Sequence, residues 1–167
     1  MRTNILLNTD SYKASHPVQY PPGTEYVYSY IESRGGKWDK TLFFGLQMFL
    51  KDYLAEPITM ADIDEAEAFW AAHGEPFYRD QWEYILTEHK GRLPILIKAV
   101  KEGTVLPTHN VLVTIVNTDP KCYWLTSFME TAILRAVWYP TTVATNSWAC
   151  KQVIKRYLDL TSDDPAQ

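Results

Sequence analysis

The sequence predicts an α+β fold, with a mixed sheet and helices in the amino-terminal part and helices alone after it. Residues 26–32 alternate between two faces, residues 42–91 repeat apolar side chains at helical spacing, and residues 93–117 are rich in β-branched residues. From residue 119 onward only helical patterns remain. We therefore expect an α+β domain at 1–118 and a helical segment at 119–167.

Length and composition restrict the class of protein. The chain has 167 residues, of which 46% are hydrophobic, and a formal net charge of -4. These values are typical of a globular protein without a basic surface for nucleic acid or anionic lipid. No apolar run approaches the roughly 20 residues that a membrane span needs, and Ile5–Leu7 is too short for a signal peptide. We expect a cytoplasmic protein with no nucleic-acid or membrane partner.

The first predicted elements are a capped turn and a strand. Asp10 is placed to cap a helix that begins at Ser11, and Pro21-Pro22-Gly23 marks a turn. The strand covers residues 26–32, with its three tyrosines on one face, and it ends in the glycine-rich loop that follows Arg34.

Three helices are predicted next. The first begins at Leu42, where apolar residues recur at helical spacing as far as residue 53. The second has Thr59 as its N-cap and Gly74 as its stop. A third, closed by Gly91, is indicated by Trp82, Ile85, Leu86 and His89.

The rest of the chain should form two or three antiparallel strands at 93–117 and then helices. Asp119-Pro120 is a helix start, and the apolar segment 123–137 predicts a buried helix that Pro140 interrupts. A last helix from Asn146 carries an apolar stripe, which with much of 123–137 would be an unsatisfied interface. The stripe consists of Val153, Ile154, Tyr157 and Leu158.

Few residues stand out as candidates for chemistry. The four histidines are scattered and the two cysteines form no CxxC pair, so no metal site is predicted. Glu130 and Arg135 lie on an apolar helix, where ion pairing is favoured over catalysis. Tyr12, in a loop punctuated by prolines, could present its ring to a flat ligand, and Arg34 could offer its guanidinium to a phosphate.

Two long stretches resemble the start of nicotinamide phosphoribosyltransferases, a family of type II phosphoribosyltransferases, in their bacterial and phage-like form. They are NTDSYKASHPVQYPPGTEYVYSYIESRGGKWDKTLFFGLQ at residues 8–47 and NTDPKCYWLTSFMETAILRAVWYPTTVATNS at residues 117–147. The β-rich segment GRLPILIKAVKEGTVLPTHNVLVTIVNTDP at 91–120 is similar to the part of the family that joins them. The similarity therefore covers nearly the whole chain.

The resemblance implies a reaction and a shared site. Members join nicotinamide to 5-phosphoribosyl 1-diphosphate in NAD biosynthesis, giving nicotinamide mononucleotide and diphosphate with Mg²⁺. They are dimers whose active sites lie between subunits. The resemblance assigns Tyr12 to stacking on the nicotinamide ring across the dimer interface and Arg34 to a phosphate contact, with Asp10 as a supporting residue.

The resemblance also implies that most of the active site lies elsewhere. Family members continue into an irregular α/β barrel, of which residues 119–167 would be the first helices. No catalytic residue is expected in this chain, the Mg²⁺ ligands should lie outside it, and ATP could act as a coupling factor. The chain would then need a carboxy-terminal half for activity. It would form either a homodimer or a complex with that half. The alternative is a non-catalytic dimerisation or regulatory relative that binds a full-length homologue.

Overall fold

The computed structural model describes residues 4–164, and it confirms the α+β character of the chain. The strands are β1 (Tyr28–Glu32), β2 (Lys40–Leu42), β3 (Ile95–Ala99), β4 (Val105–Pro107) and β5 (Val111–Asn117). The α-helices are α1 (Leu46–Phe49), α2 (Met60–His73), α3 (Arg79–Glu88) and α4 (Leu125–Thr161). Short 3₁₀ helices cover Ile5–Leu7, Ser11–Val18 and Pro120–Cys122, and a π-helical turn, Leu50–Leu54, continues α1.

The strands form two small sheets. One has the order β1-β5-β3 and the other pairs β2 with β4. Every pairing is antiparallel, so the mixed sheet expected from the sequence is not observed. Of the two or three strands predicted at 93–117, three form. Strands β3 and β5 belong to the larger sheet with β1, whereas β4 pairs with β2.

The helix predicted to begin at Leu42 begins later. Leu42 is the last residue of β2, where it pairs with Val105 of β4. The pairing with β4 outweighs the helical spacing of the local sequence, which resumes only at Leu46. Strand β1 is confirmed, and it begins two residues after the predicted position, at Tyr28.

The boundaries of α2 were predicted closely, and the predicted third helix forms as α3, which begins at Arg79. Thr59 caps α2, and its hydroxyl and the carboxylate of Asp62 satisfy each other's backbone N–H groups in a capping box. Gly74 ends α2 in the left-handed conformation. Gly91 follows α3 with φ +75°, and a Cβ there would lie 2.3 Å from the Ile58 carbonyl oxygen, so the chain has no room for a side chain.

The interruption predicted at Pro140 is wrong, because α4 runs through it for 37 residues. Proline has no N–H group, so the Ala136 carbonyl lacks its helical hydrogen bond. Side chains on the following turns hold the helix to the end of β2 and to the residues just after it. The Thr141 hydroxyl accepts from Phe44 N (3.1 Å) and donates to the Phe44 carbonyl (3.0 Å). Thr145 Oγ1 accepts from Leu42 N at 2.9 Å.

The core lies where α4 packs against α1 and strands β1, β2 and β5, and α3 adds Trp82 to it. Trp82 meets Trp124 edge to face, with ring centroids 4.8 Å apart. Ile85, Leu125 and Ile133 are fully buried beside them. Within residues 4–164, no helix is long and apolar enough to cross a membrane.

The carboxy-terminal part of α4 leaves this core. Val153, Ile154 and Tyr157 are 49% to 59% exposed, as an unsatisfied interface requires, whereas Leu158 is partly buried. The other part of the expected interface, residues 123–137, is instead largely buried within the chain. The domain boundary at residue 119 falls between β5 and the turn before α4, and it stays a prediction.

Candidate functional site

An open pocket of about 550 Å³ lies between β1 and α4. Strand β1 contributes Ser29 and Ile31, and α4 contributes Ser127, Glu130 and Ile133. Helix α4 lines the pocket with both polar and apolar side chains, which are Thr126, Ser127, Glu130, Ile133 and Leu134. A concave, mostly apolar site with a few polar groups is the usual form of a small-molecule site.

Arg34 lines this pocket, as its predicted role requires. The pairing of β1 with β5 shifts register between Ile31 and Glu32, and the strand ends there. Gly35, with φ +90°, then turns the chain away. Within residues 4–164, the Arg34 guanidinium makes no hydrogen bond or ion pair, so its full donor set remains for an anion. Its contact with phosphate stays a prediction.

Tyr12 lies outside this pocket. It stands on the 3₁₀ helix Ser11–Val18 with 58% of its surface exposed, and its ring is tilted against that of His16 at 5.3 Å. The chain therefore does not bring Tyr12 and Arg34 into one pocket, and the stacking role of Tyr12 stays a prediction.

The segment before Tyr12 is fixed to α4. The Thr9 hydroxyl donates to the Phe128 carbonyl at 2.8 Å, and Arg135 donates to the Asn8 side chain. Arg135 thus makes a hydrogen bond to another element, but its partner is a neutral side chain, and the ion pair that the sequence favours is not observed for Arg135 within residues 4–164. These contacts hold the backbone on which Tyr12 is exposed.

Asp10 occupies the N-cap position that the sequence predicts, but its side chain makes no capping hydrogen bond. Its carboxylate instead accepts from the Thr131 hydroxyl at 2.6 Å. Asp10 is therefore a tether between the Tyr12 segment and α4, and a direct part in ligand binding stays a prediction.

Lys13 is a residue of this region that sequence reasoning missed. Its side chain is 2% exposed, its ammonium pairs with Glu130, and Nζ lies 5.5 Å from the centroid of the Tyr12 ring. A lysine is rarely buried without a partner, and Glu130 is that partner. The sequence signal was the isolated charge of Glu130 on an apolar helix, which indicated a partner without identifying it.

A second polar cluster lies at the other end of the core. His89 Nε2 lies 2.7 Å from Asp119 Oδ2, to which the Tyr84 hydroxyl donates at 2.8 Å, and Cys122 Sγ is near. Burial raises the pKa of Asp119, but hydrogen bonds from the Lys121 backbone, His89 and Tyr84 outweigh it and lower that pKa below its ordinary value.

The same cluster disfavours a thiolate. Burial and the Asp119 carboxylate raise the pKa of Cys122 to about 12, and the bond to Asp119 with partial burial raises that of Tyr84 to about 12. His89, Asp119 and Cys122 offer three ligand atoms within 4.8 Å of one another, but Cys122 is a protonated thiol and Asp119 is already hydrogen-bonded. We interpret the cluster as a structural lock between α3 and the turn before α4.

Comparison with known proteins gives a consistent result. Residues 4–97 match the family model described as "Nicotinamide phosphoribosyltransferase, N-terminal domain". A nicotinamide phosphoribosyltransferase of Xanthomonas campestris pv. campestris is 59% identical over 97% of this chain and 34% of its own length. One from Acinetobacter baylyi is 31% identical over 93% of this chain and 34% of its own length.

A solved structure supports the fold. Human nicotinic acid phosphoribosyltransferase superposes with a TM-score of 0.58 at 22% identity, over 91% of this chain and 28% of that chain. The chain thus spans about a third of the length of the bacterial relatives it matches.

Proposed function

Because the chain belongs to the nicotinamide phosphoribosyltransferase family through that family's N-terminal domain, we propose that it supplies the amino-terminal part of such an enzyme. The enzyme would join nicotinamide to 5-phosphoribosyl 1-diphosphate, giving nicotinamide mononucleotide and diphosphate in cytoplasmic NAD biosynthesis. The observation that carries the proposal is the unpaired guanidinium of Arg34 in a pocket of about 550 Å³ beside α4.

The chemistry of ribosyl transfer suits this arrangement. Breaking the bond to diphosphate develops positive charge on the ribose and negative charge on the leaving group. Arg34 can donate two parallel hydrogen bonds to phosphate oxygens and so stabilise that negative charge. Tyr12 can stack on the nicotinamide ring, for which offset stacking contributes about 0.5–1.5 kcal/mol.

The site would be completed by further polypeptide. Tyr12 is exposed and does not line the Arg34 pocket, which supports a role for its ring in the site of a second chain in a dimer. The exposed stripe of Val153, Ile154 and Tyr157 on α4 is a surface for the rest of the enzyme.

The described residues of this pocket do not fit a Mg²⁺ site. Its carboxylates are Glu32 and Glu130, and Glu130 is paired with Lys13, whereas Mg²⁺ requires a near-octahedral set of oxygens. We assign Mg²⁺, and ATP if it couples to turnover, to residues outside this chain.

A chimeric enzyme tests the proposal. In it, this chain replaces the matching third of the Xanthomonas relative, and formation of nicotinamide mononucleotide is measured. We expect Tyr12→Ala to raise the KM for nicotinamide about tenfold, a loss of the size of one stacking contact. Tyr26→Ala, which removes an equally exposed tyrosine, is the matched control and should change nothing.

Arg34 is tested in the same chimera. Arg34→Ala should lower kcat/KM for 5-phosphoribosyl 1-diphosphate at least tenfold, because a charge-assisted bidentate contact is lost. Arg156→Ala, an exposed arginine on α4, is its control. An active chimera in which neither Tyr12→Ala nor Arg34→Ala differs from its control would refute the assignment of this site.

A non-catalytic module that binds a full-length homologue is the second candidate function, and the exposed stripe on α4 favours it equally. It predicts a stable complex with the homologue and no turnover that depends on this chain.

A further inference from the structure

The charges that line the Arg34 pocket do not favour an anion unless one of them is compensated. The ionic side chains on its wall are Glu32, Arg34 and Glu130, which sum to one negative charge. A phosphate group entering this pocket would meet two carboxylates and one guanidinium. By charge alone, the wall would repel the ligand that Arg34 is suited to bind.

The compensating charge comes from behind the wall. The Lys13 ammonium pairs with Glu130, whose carboxylate is half exposed at the pocket while the lysine is 2% exposed. With Lys13 included, the charges around the pocket sum to zero, and Arg34 faces an incoming anion beside a neutralised Glu130. The lysine cannot reach the ligand itself, since it is buried.

The same ammonium lies between the pocket wall and Tyr12. It lies 5.5 Å from the centroid of the Tyr12 ring, within the range of a cation–π contact. The Lys13 ammonium thus interacts both with the exposed Tyr12 ring and with Glu130 at the pocket wall. No other described residue makes both contacts.

We propose that Lys13 is a positioning residue that neutralises Glu130 at the wall of the pocket, so that the pocket admits the anionic phosphate groups of the substrate. The inference rests on the proposed function and deepens it. It assigns to Lys13 an electrostatic effect on ligand affinity in addition to a structural contact.

The test measures binding of inorganic diphosphate to the 167-residue chain by NMR, following the Arg34 side chain and the amides of Gly35 and Gly36. The variants are Lys13→Met, Glu130→Gln and the double variant, compared at low ionic strength and with added salt. The summed charge around the pocket is zero in the wild type. It becomes negative in Lys13→Met, becomes positive in Glu130→Gln and stays zero in the double variant.

The inference predicts an order of affinities. Lys13→Met should weaken diphosphate binding about tenfold, the double variant should restore it, and Glu130→Gln should bind at least as tightly as the wild type. The differences should shrink as salt is added. A purely structural role predicts instead that Glu130→Gln weakens binding, because it leaves Lys13 buried without its partner.

Two controls make the result decisive. Lys155→Met removes the cation of an exposed ion pair with Asp159 on the same helix and should leave diphosphate binding unchanged. If Lys13→Met does not fold, Glu130→Gln and the double variant still test the order, because they differ by one charge at the pocket.

The outcomes separate the inference from the proposed function. Equal affinities in all folded variants, or a double variant that stays weak, would overturn the role of Lys13 while leaving the anion site intact. No shift at Arg34 or Gly35 in the wild type would overturn both the inference and the use of Arg34 as a phosphate contact.

Discussion

Replacing Gly45 by alanine tests how α4 passes Pro140. Gly45 lies just before α1 with φ +110°, a conformation that residues with a Cβ rarely adopt. A Cβ built there would lie 2.3 Å from the Ala136 carbonyl oxygen and 2.8 Å from Pro140 Cβ. The carbonyl in question is the one that Pro140 leaves without its helical hydrogen bond.

The expected cost has two parts. Placing alanine in a left-handed conformation costs about 1–2 kcal/mol, and forcing a methyl group into filled space costs about 1–3 kcal/mol more. Gly45→Ala should therefore lower the free energy of unfolding by about 2–5 kcal/mol. Gly103→Ala is the matched control, because Gly103 has φ +87° and nothing within 4 Å of an added Cβ. It should show only the first part.

Urea denaturation followed by tryptophan fluorescence measures both variants. With an m value of about 2 kcal/mol/M, Gly45→Ala should lower the midpoint by about 1–2.5 M and Gly103→Ala by no more than about 1 M. Equal shifts of the urea midpoint in the two variants would contradict this prediction, because they would mean that crowding between Gly45 and the Pro140 turn does not lower the free energy of unfolding.

Three further predictions concern stability. Because the pKa of Asp119 is lower in the folded protein than in the unfolded chain, its ionised form stabilises the fold above about pH 4, and this contribution is lost as the pH falls. Asp119→Asn should therefore reduce the loss of unfolding free energy on acidification. An unchanged dependence of the unfolding free energy on acid pH would contradict this. Thr59→Ala should cost about 1 kcal/mol in urea denaturation, since it removes the capping box of α2; a loss near zero would mean that α2 does not depend on its cap. Val137→Ala should cost about 2 kcal/mol and Val153→Ala less than about 0.5, because Val137 is buried whereas Val153 is 49% exposed. Comparable losses in urea would mean that the exposed part of α4 is covered in solution.

The helices with strong local end signals were predictable from the sequence. Thr59 and Gly74 bound α2 through contacts with their own neighbours, so the local sequence contains the information. The strand at 28–32 was predictable for the same reason, since the alternation of Tyr28, Ser29 and Tyr30 is a local pattern.

What failed depended on partners far along the chain. Strand β2 forms because it pairs with residues 105–107, and α4 continues through Pro140 because Thr141 binds Phe44 and Thr145 binds Leu42 at the end of β2. No local rule could place those partners. At the candidate site, Arg34 and Tyr12 could be proposed from the sequence, whereas the link through Lys13 required the packing of residues 13 and 130.

We propose that this chain is one part of a catalytic site. The proposal is tested by the rate of nicotinamide mononucleotide formation when the chain is co-expressed with the remainder of the Xanthomonas relative, the part that it does not match. We expect neither polypeptide to be active alone, and we expect the purified complex to be active and to lose activity with Arg34→Ala. A stable complex without turnover would contradict it and favour the non-catalytic module.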